Sequence, residues 1–176
     1  MVSERHNSPR RQMHAETRLL FEWVAEAYPG RELRHQFRVG TDPTIVGVEI
    51  VDEGELRLAR NLNRRVDMVV VPPPDLVVIE ATMFRPSDKI GRLQEYLLLL
   101  PATPEAQPWL RYPRVTVLLS GQDDAVARVL ASRAGIRYVF WEPPWIDEFL
   151  ALYPDRRRRA PHAGMVDELA RRAEPS

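Results

Sequence analysis

Hydrophobic and polar positions alternate with two distinct periods along the chain, and the switches between them mark out its elements. From about Arg11 to Tyr28 apolar residues recur every three or four positions, with Leu20, Trp23 and Ala27 on one stripe, as an amphipathic helix requires. Pro29-Gly30 ends it. In Glu32–Val39 the period becomes two: Leu33, His35, Phe37 and Val39 alternate with polar residues, predicting a half-exposed strand. His35 falls on the apolar side, the place of a satisfied core histidine. Thr44–Asp52 reads as a second strand after the turn Gly40-Thr41-Asp42-Pro43, and Glu53–Arg64 is polar and ambiguous.

Val66–Val71 and Leu76–Met83 are nearly continuous apolar runs, which predicts strands covered on both faces. Pro72-Pro73-Pro74-Asp75 lacks ladder donors at its prolines and must be their connection. Strict alternation puts Asp67 with Val69 and Val71, and Glu80 with Leu76, Val78 and Thr82. A helix follows over Asp88–Leu100, with Ser87 placed to cap it and Ile90, Leu93, Leu97 and Leu100 as its apolar stripe. Lys89 and Tyr96 share one shoulder of that stripe and Gln94 lies on the other. After a proline-interrupted connection come strand Arg114–Leu119, helix Asp123–Ala134 closed by Gly135, strand Ile136–Trp141 and helix Pro144–Tyr153. Strand–helix–strand alternation of this kind predicts parallel pairing in an α/β sheet. A last amphipathic helix is expected over His162–Ala173.

The chain's 176 residues, 44% of them hydrophobic, suit a single core, expected over 11–153 between a disordered arm (1–10) and an arginine-rich linker with the terminal helix (154–176). Twenty-five basic side chains balance twenty-five acidic ones, so bulk charge announces no nucleic-acid partner. With no cysteine there is neither a disulfide framework nor a thiolate metal site, which fits a cytoplasmic protein. The longest apolar runs fall far short of a membrane span of roughly 20 residues, so no membrane partner is expected. Lys89 is the only lysine; the remaining basic residues are arginines.

Phosphate-binding glycine loops, a GxSxG elbow and HExxH spacing are all absent. The carboxylates remain. Asp67 and Glu80 stand where buried strands normally carry aliphatic residues, and an unpartnered charge there is costly. Glu16 joins the inward stripe of the first helix, either as an approaching third acid or as a first-turn glutamate favoured by the helix dipole. Hard cations such as Mg2+ take one or two carboxylates together with waters and phosphate oxygens, a set these acids can begin.

The order of a helix with an inward Glu16, strands, Asp67 on one strand, Glu80-Ala81-Thr82 on the next, then a helix with Gln94 and Tyr96 resembles the PD-(D/E)XK nuclease superfamily, over about Met13–Leu119. The resemblance implies a restriction-endonuclease-like α/β core, a central mixed β-sheet flanked by helices, with an added C-terminal helix–strand–helix. It further implies Asp67 and Glu80 as ligands of Mg2+ (or Mn2+), Glu16 as an auxiliary ligand, Gln94 and Tyr96 as polar helix positions at the site, and DNA as the partner. Thr82 occupies the place of the family's catalytic lysine, so either that function has moved to Lys89 or to Arg85, or catalysis has been lost. In the first case the protein is a metal-dependent endonuclease, of the kind found in phages and other mobile elements. In the second it is a silent nuclease-fold subunit of a larger assembly, virion-associated or homo-oligomeric. A purely structural reading pairs Asp67 with the neighbouring Arg64-Arg65, and Glu80 with Arg38 or Arg85. The run Arg156–Arg159 is a solvated segment, or a phosphate contact if DNA binds.

Overall fold

The computed structural model describes residues 9–40 and 64–154. The expected strand over Thr44–Asp52, the polar stretch before the hairpin, the run Arg156–Arg159 and the terminal helix over His162–Ala173 lie outside these residues.

Among the described residues five strands form one mixed sheet, in the order β1 (Leu33–Val39), β2 (Arg64–Val70), β3 (Leu76–Thr82), β4 (Arg114–Ser120) and β5 (Arg137–Phe140). The short proline turn can only reverse the chain, so β2 and β3 are antiparallel; β1 also runs antiparallel to β2. Helices α2 (Ser87–Leu99) and α3 (Ala125–Arg133) carry the chain back across the sheet, making β3–β4 and β4–β5 parallel. Two 3₁₀ turns, Leu100–Ala102 and Pro104–Trp109, fill the proline-interrupted connection before β4. The protein is therefore α/β, with the mixed sheet between two layers of helices.

One layer holds α1 (Pro9–Ala27) and α4 (Ile146–Ala151). Leu19, Leu20, Val24 and Ile146 pack on Met68, Val70, Val77, Ile79 and Leu119. In the other, Ile90, Leu93 and Tyr96 of α2 and Ala131 of α3 cover Val66, Leu76, Val78 and Leu118. Burying each of the larger aliphatic side chains contributes about 1.5–3 kcal/mol relative to exposure. Central β3 is buried at every position, which explains why its sequence is apolar on both faces. No helix among the described residues is long and apolar enough to cross a membrane.

Several element ends differ from those expected. Helix α1 begins at Pro9, so residues 9 and 10 of the expected arm are helical, and Glu16 stands beyond the first turn rather than in it. Ala27 is exposed, and Ala15, Leu19 and Val24 complete the buried stripe instead. His35 is exposed and tilts against Phe21 with ring centroids 5.0 Å apart, so it is no core residue; among the described strands β1 lies at the sheet edge, where alternation does not guarantee cover. Ser87 does not cap α2. Pro86 takes the capping position, where its ring has no polar atom to offer, and the chain enters through Arg85 at φ 51°. Asp124 does cap α3, accepting from the Ala127 amide at 3.0 Å, and Gly135 at φ 68° turns the chain out of it.

Candidate functional site

The hairpin of β2 and β3 comes apart at one end. Its pairing runs from Val70↔Val77 to Met68↔Ile79 and stops, while β3 continues against β4 through Glu80↔Leu118 to Thr82↔Ser120. Beyond Met68 and Ile79 the two strands fork. Asp67 and Glu80 fill the fork, and their carboxylates take the amide hydrogens that a closed ladder would give to carbonyls. The Ala81 amide donates to Asp67 Oδ2 at 3.0 Å, and the Asp67 amide points to Glu80 Oε1 at 3.4 Å. Strict alternation also fails here: Val66 packs with the α2 layer but Met68 with the α1 layer. The alternation is thus broken between Val66 and Met68, on either side of Asp67.

Two helices bring further groups to the fork. From α2, Lys89 Nζ donates to Glu80 Oε2 at 3.0 Å; the Glu80 side chain is 1% exposed and that of Lys89 18%. From α1, Glu16 Oε1 accepts from the Met83 amide at 3.2 Å and lies 3.4 Å from Thr82 Oγ1. Thr82 is buried at the end of β3, its hydroxyl 2.5 Å from the Phe84 carbonyl it donates to, so it shapes the strand's exit on the α1 side. Tyr96 is buried beside the acids, yet its hydroxyl donates to the Arg65 carbonyl at 2.9 Å and tethers β2 to α2.

Burial first, then the negative charge of Asp67, pushes the Glu80 carboxyl above its usual range, against the pull of Lys89 and Tyr96. For Lys89, burial works against the charge, but the carboxylates of Glu80, Asp67 and Glu16 outweigh it and raise its pKa. Lys89 therefore remains an ammonium at neutral pH. The Tyr96 phenol is raised by burial, then by Glu80 and Asp67, with Arg92 opposing.

The structure thus gathers Glu16, Asp67, Thr82, Glu80, Lys89 and Tyr96 at one end of the sheet. Gln94 is not brought there; it is exposed, well round the helix from Lys89. The arginine partners considered for the acids are not the ones used. Glu80 pairs with Lys89, and Arg64 pairs with Glu95 at 2.8 Å. Gln36 was not legible as a member of this cluster, yet its carboxamide Nε2 donates to Asp67 Oδ1 at 3.2 Å. A polar residue on a half-exposed edge strand carries no pattern that would single it out.

Asp67 and Glu80 supply hard oxygen donors on adjoining strands, which suits a divalent cation that completes its shell with water and substrate oxygens. Among the described residues, no group of three His, Cys, Asp or Glu side chains is arranged to hold a metal ion. Compared with protein-family models, curated proteins and solved structures, the chain matches none.

Proposed function

We propose that the chain is a metal-dependent phosphodiesterase acting on DNA, of PD-(D/E)XK type with a restriction-endonuclease-like core, in which the motif lysine's work is done from α2 by Lys89. One observation carries this reading. Two carboxylates lie on forked neighbouring strands, and one of them, Glu80, holds an ammonium whose charge both maintain. Structural acids inside a sheet are normally matched with partners that close the ladder, whereas these two hold it open.

Asp67 and Glu80 would hold Mg2+ or Mn2+, whose chemistry when bound is to neutralise phosphate charge and acidify a water. Glu16, anchored on the Met83 amide, would add negative charge at the α1 side. Lys89 sits where a cation can orient a phosphate oxygen or the attacking water, the task for which Thr82 has no charge to offer. Tyr96 supports the site through β2 rather than through substrate.

A second reading, a silent nuclease-fold subunit that binds a protein assembly or another copy of itself, is favoured by a specific feature. Every carboxylate oxygen of Asp67 and Glu80 accepts from a protein donor, namely Gln36, Ala81, the Asp67 amide and Lys89. Incubation of the purified protein with supercoiled and single-stranded DNA, in Mg2+, Mn2+ or chelator, separates the two. The nuclease reading expects cation-dependent cleavage that Asp67→Asn abolishes, that Lys89→Met lowers about 10²–10³-fold, and that Lys89→Arg partly retains. Wild-type protein inert towards both DNA forms, with no cation-dependent shift in melting temperature, sinks it and leaves the subunit reading.

A further inference from the structure

We propose that Gln36 is a positioning residue for Asp67, held in a strained backbone conformation so that its carboxamide fixes how that carboxylate is presented. The proposal rests on the reading of Asp67 as a cation ligand.

Gln36 lies in β1 at φ 51°, the left-handed region that glutamine, unlike glycine or asparagine, rarely enters. Its place in the register is opposite Asp67. On either side, His35 pairs with Met68 and Phe37 with Val66, but no pairing joins Gln36 to Asp67. The strained residue therefore interrupts the β1–β2 ladder at the position where β2 also leaves β3. There its Nε2 donates to Asp67 Oδ1 at 3.2 Å, while the Ala81 amide donates to Oδ2 at 3.0 Å. With one donor on each oxygen, the plane of the carboxylate is set from both neighbouring strands.

Stability does not account for this arrangement. Gln36 is exposed, and a hydrogen bond from an exposed carboxamide to a carboxylate is screened by water and adds little to the folded state, whereas a strained backbone subtracts from it. The other described non-glycine residue at positive φ, Arg85 at 51°, starts the turn into α2 that delivers Lys89. Strain thus falls at two points where the chain leads into the same cluster, as it does where surrounding structure holds a functional geometry in place. Outer partners that orient metal-ligating carboxylates act in this way, and their loss typically weakens the metal about 10–100-fold.

Gln36→Gly separates the backbone from the amide, since glycine adopts the conformation freely but donates nothing. The expected result is an unchanged or higher melting temperature without cation, together with an Mn2+ affinity, read from cation-dependent thermal shift, about tenfold weaker than wild type. Gln36→Asn, which tolerates the conformation but whose amide is one methylene short, is expected to match Gln36→Gly in Mn2+ affinity. An Mn2+ midpoint equal to wild type in Gln36→Gly overturns the proposal. A second measurement is independent of cation and cleavage. Gln36→Gly is expected to raise the melting temperature more in an Asp67→Ala background, where no hydrogen bond remains to be lost, than in the wild-type background. Equal gains in both overturn the assignment whatever the cleavage assay reads. Wild-type protein that neither cleaves nor responds to Mn2+ overturns the nuclease reading, while the Asp67-dependent gain still decides whether Gln36 sets the carboxylate.

Discussion

The two ends of the β2–β3 hairpin handle charge in opposite ways. At the closed end, Arg31 reaches across from the segment before β1 and binds the proline turn. Its guanidinium donates to the Val71 carbonyl at 2.9 and 3.2 Å and to the Asp75 carbonyl at 2.8 Å, with Asp75 Oδ1 3.4 Å away. One cation meets one carboxylate, both partly exposed, and the rest of its donors satisfy carbonyls that prolines leave without ladder partners. At the open end, one ammonium pairs with Glu80 and feels the second carboxylate of Asp67, and Glu80 has almost no contact with solvent. The closed end is a polar network that finishes a fold. The open end keeps two like charges close together, one of them buried, at a cost, and that difference is the physical basis for reading function there and not at the turn.

Removing one cation from each end should show the contrast most strongly. Lys89→Met leaves the buried Glu80 carboxylate without its ion-pair partner, a loss expected to cost about 3 kcal/mol in urea unfolding. Adding Glu80→Gln should recover most of it, because the uncompensated charge goes with the partner. Arg31→Ala is expected to cost only about 1–2 kcal/mol, since its ion pair is partly screened and water can replace its bonds to carbonyls. It should leave cation binding and DNA cleavage as in wild type. A larger loss at Arg31 than at Lys89, or a Lys89→Met penalty that Glu80→Gln does not relieve, would remove the distinction between the two ends.

How legible each end was in the sequence follows from the kind of interaction involved. Strands β2 and β3, their proline turn and helix α2 could be read directly, because local apolar runs, missing donors and a helical period set them. The buried Glu80 and its neighbour Asp67 stood out for the same reason, as charges inside apolar runs. Lys89 was notable only as the sole lysine and by its helix shoulder, and its choice of Glu80 over arginine partners is a tertiary fact. The fork was not legible. It depends on β3 continuing against β4 after β2 has turned away, and on Gln36 occupying a conformation that no sequence pattern demands. Strict alternation breaks between Val66 and Met68, and the exposure of His35 reflects the edge position of β1 among the described strands, which only the assembled sheet defines.

The smallest predicted effect tests the charge difference alone, through one tyrosine at each end. Tyr28, on the closed side, has its phenol raised by burial, while Arg137 and Arg31 pull it down and Asp75 pushes it up. Tyr96, on the open side, is raised by burial and then by two carboxylates, with only Arg92 opposing. A phenol whose folded pKa exceeds the unfolded value near 10 contributes stability that is complete below that pH and lost as pH rises through the folded pKa. Both tyrosines should therefore favour the folded state up to about pH 10, and Tyr96 should be the last of the two to ionise. Glu80→Gln takes away the nearer negative charge but not the burial. It is expected to lower the Tyr96 titration, followed by phenolate absorbance against a Tyr96→Phe control, without returning it to the ordinary value. Tyr28 should titrate unchanged in the same variant. Tyr96 titrating no later than Tyr28, or failing to respond to Glu80→Gln, would mean that the open end does not concentrate negative charge and would leave its fork as a packing feature.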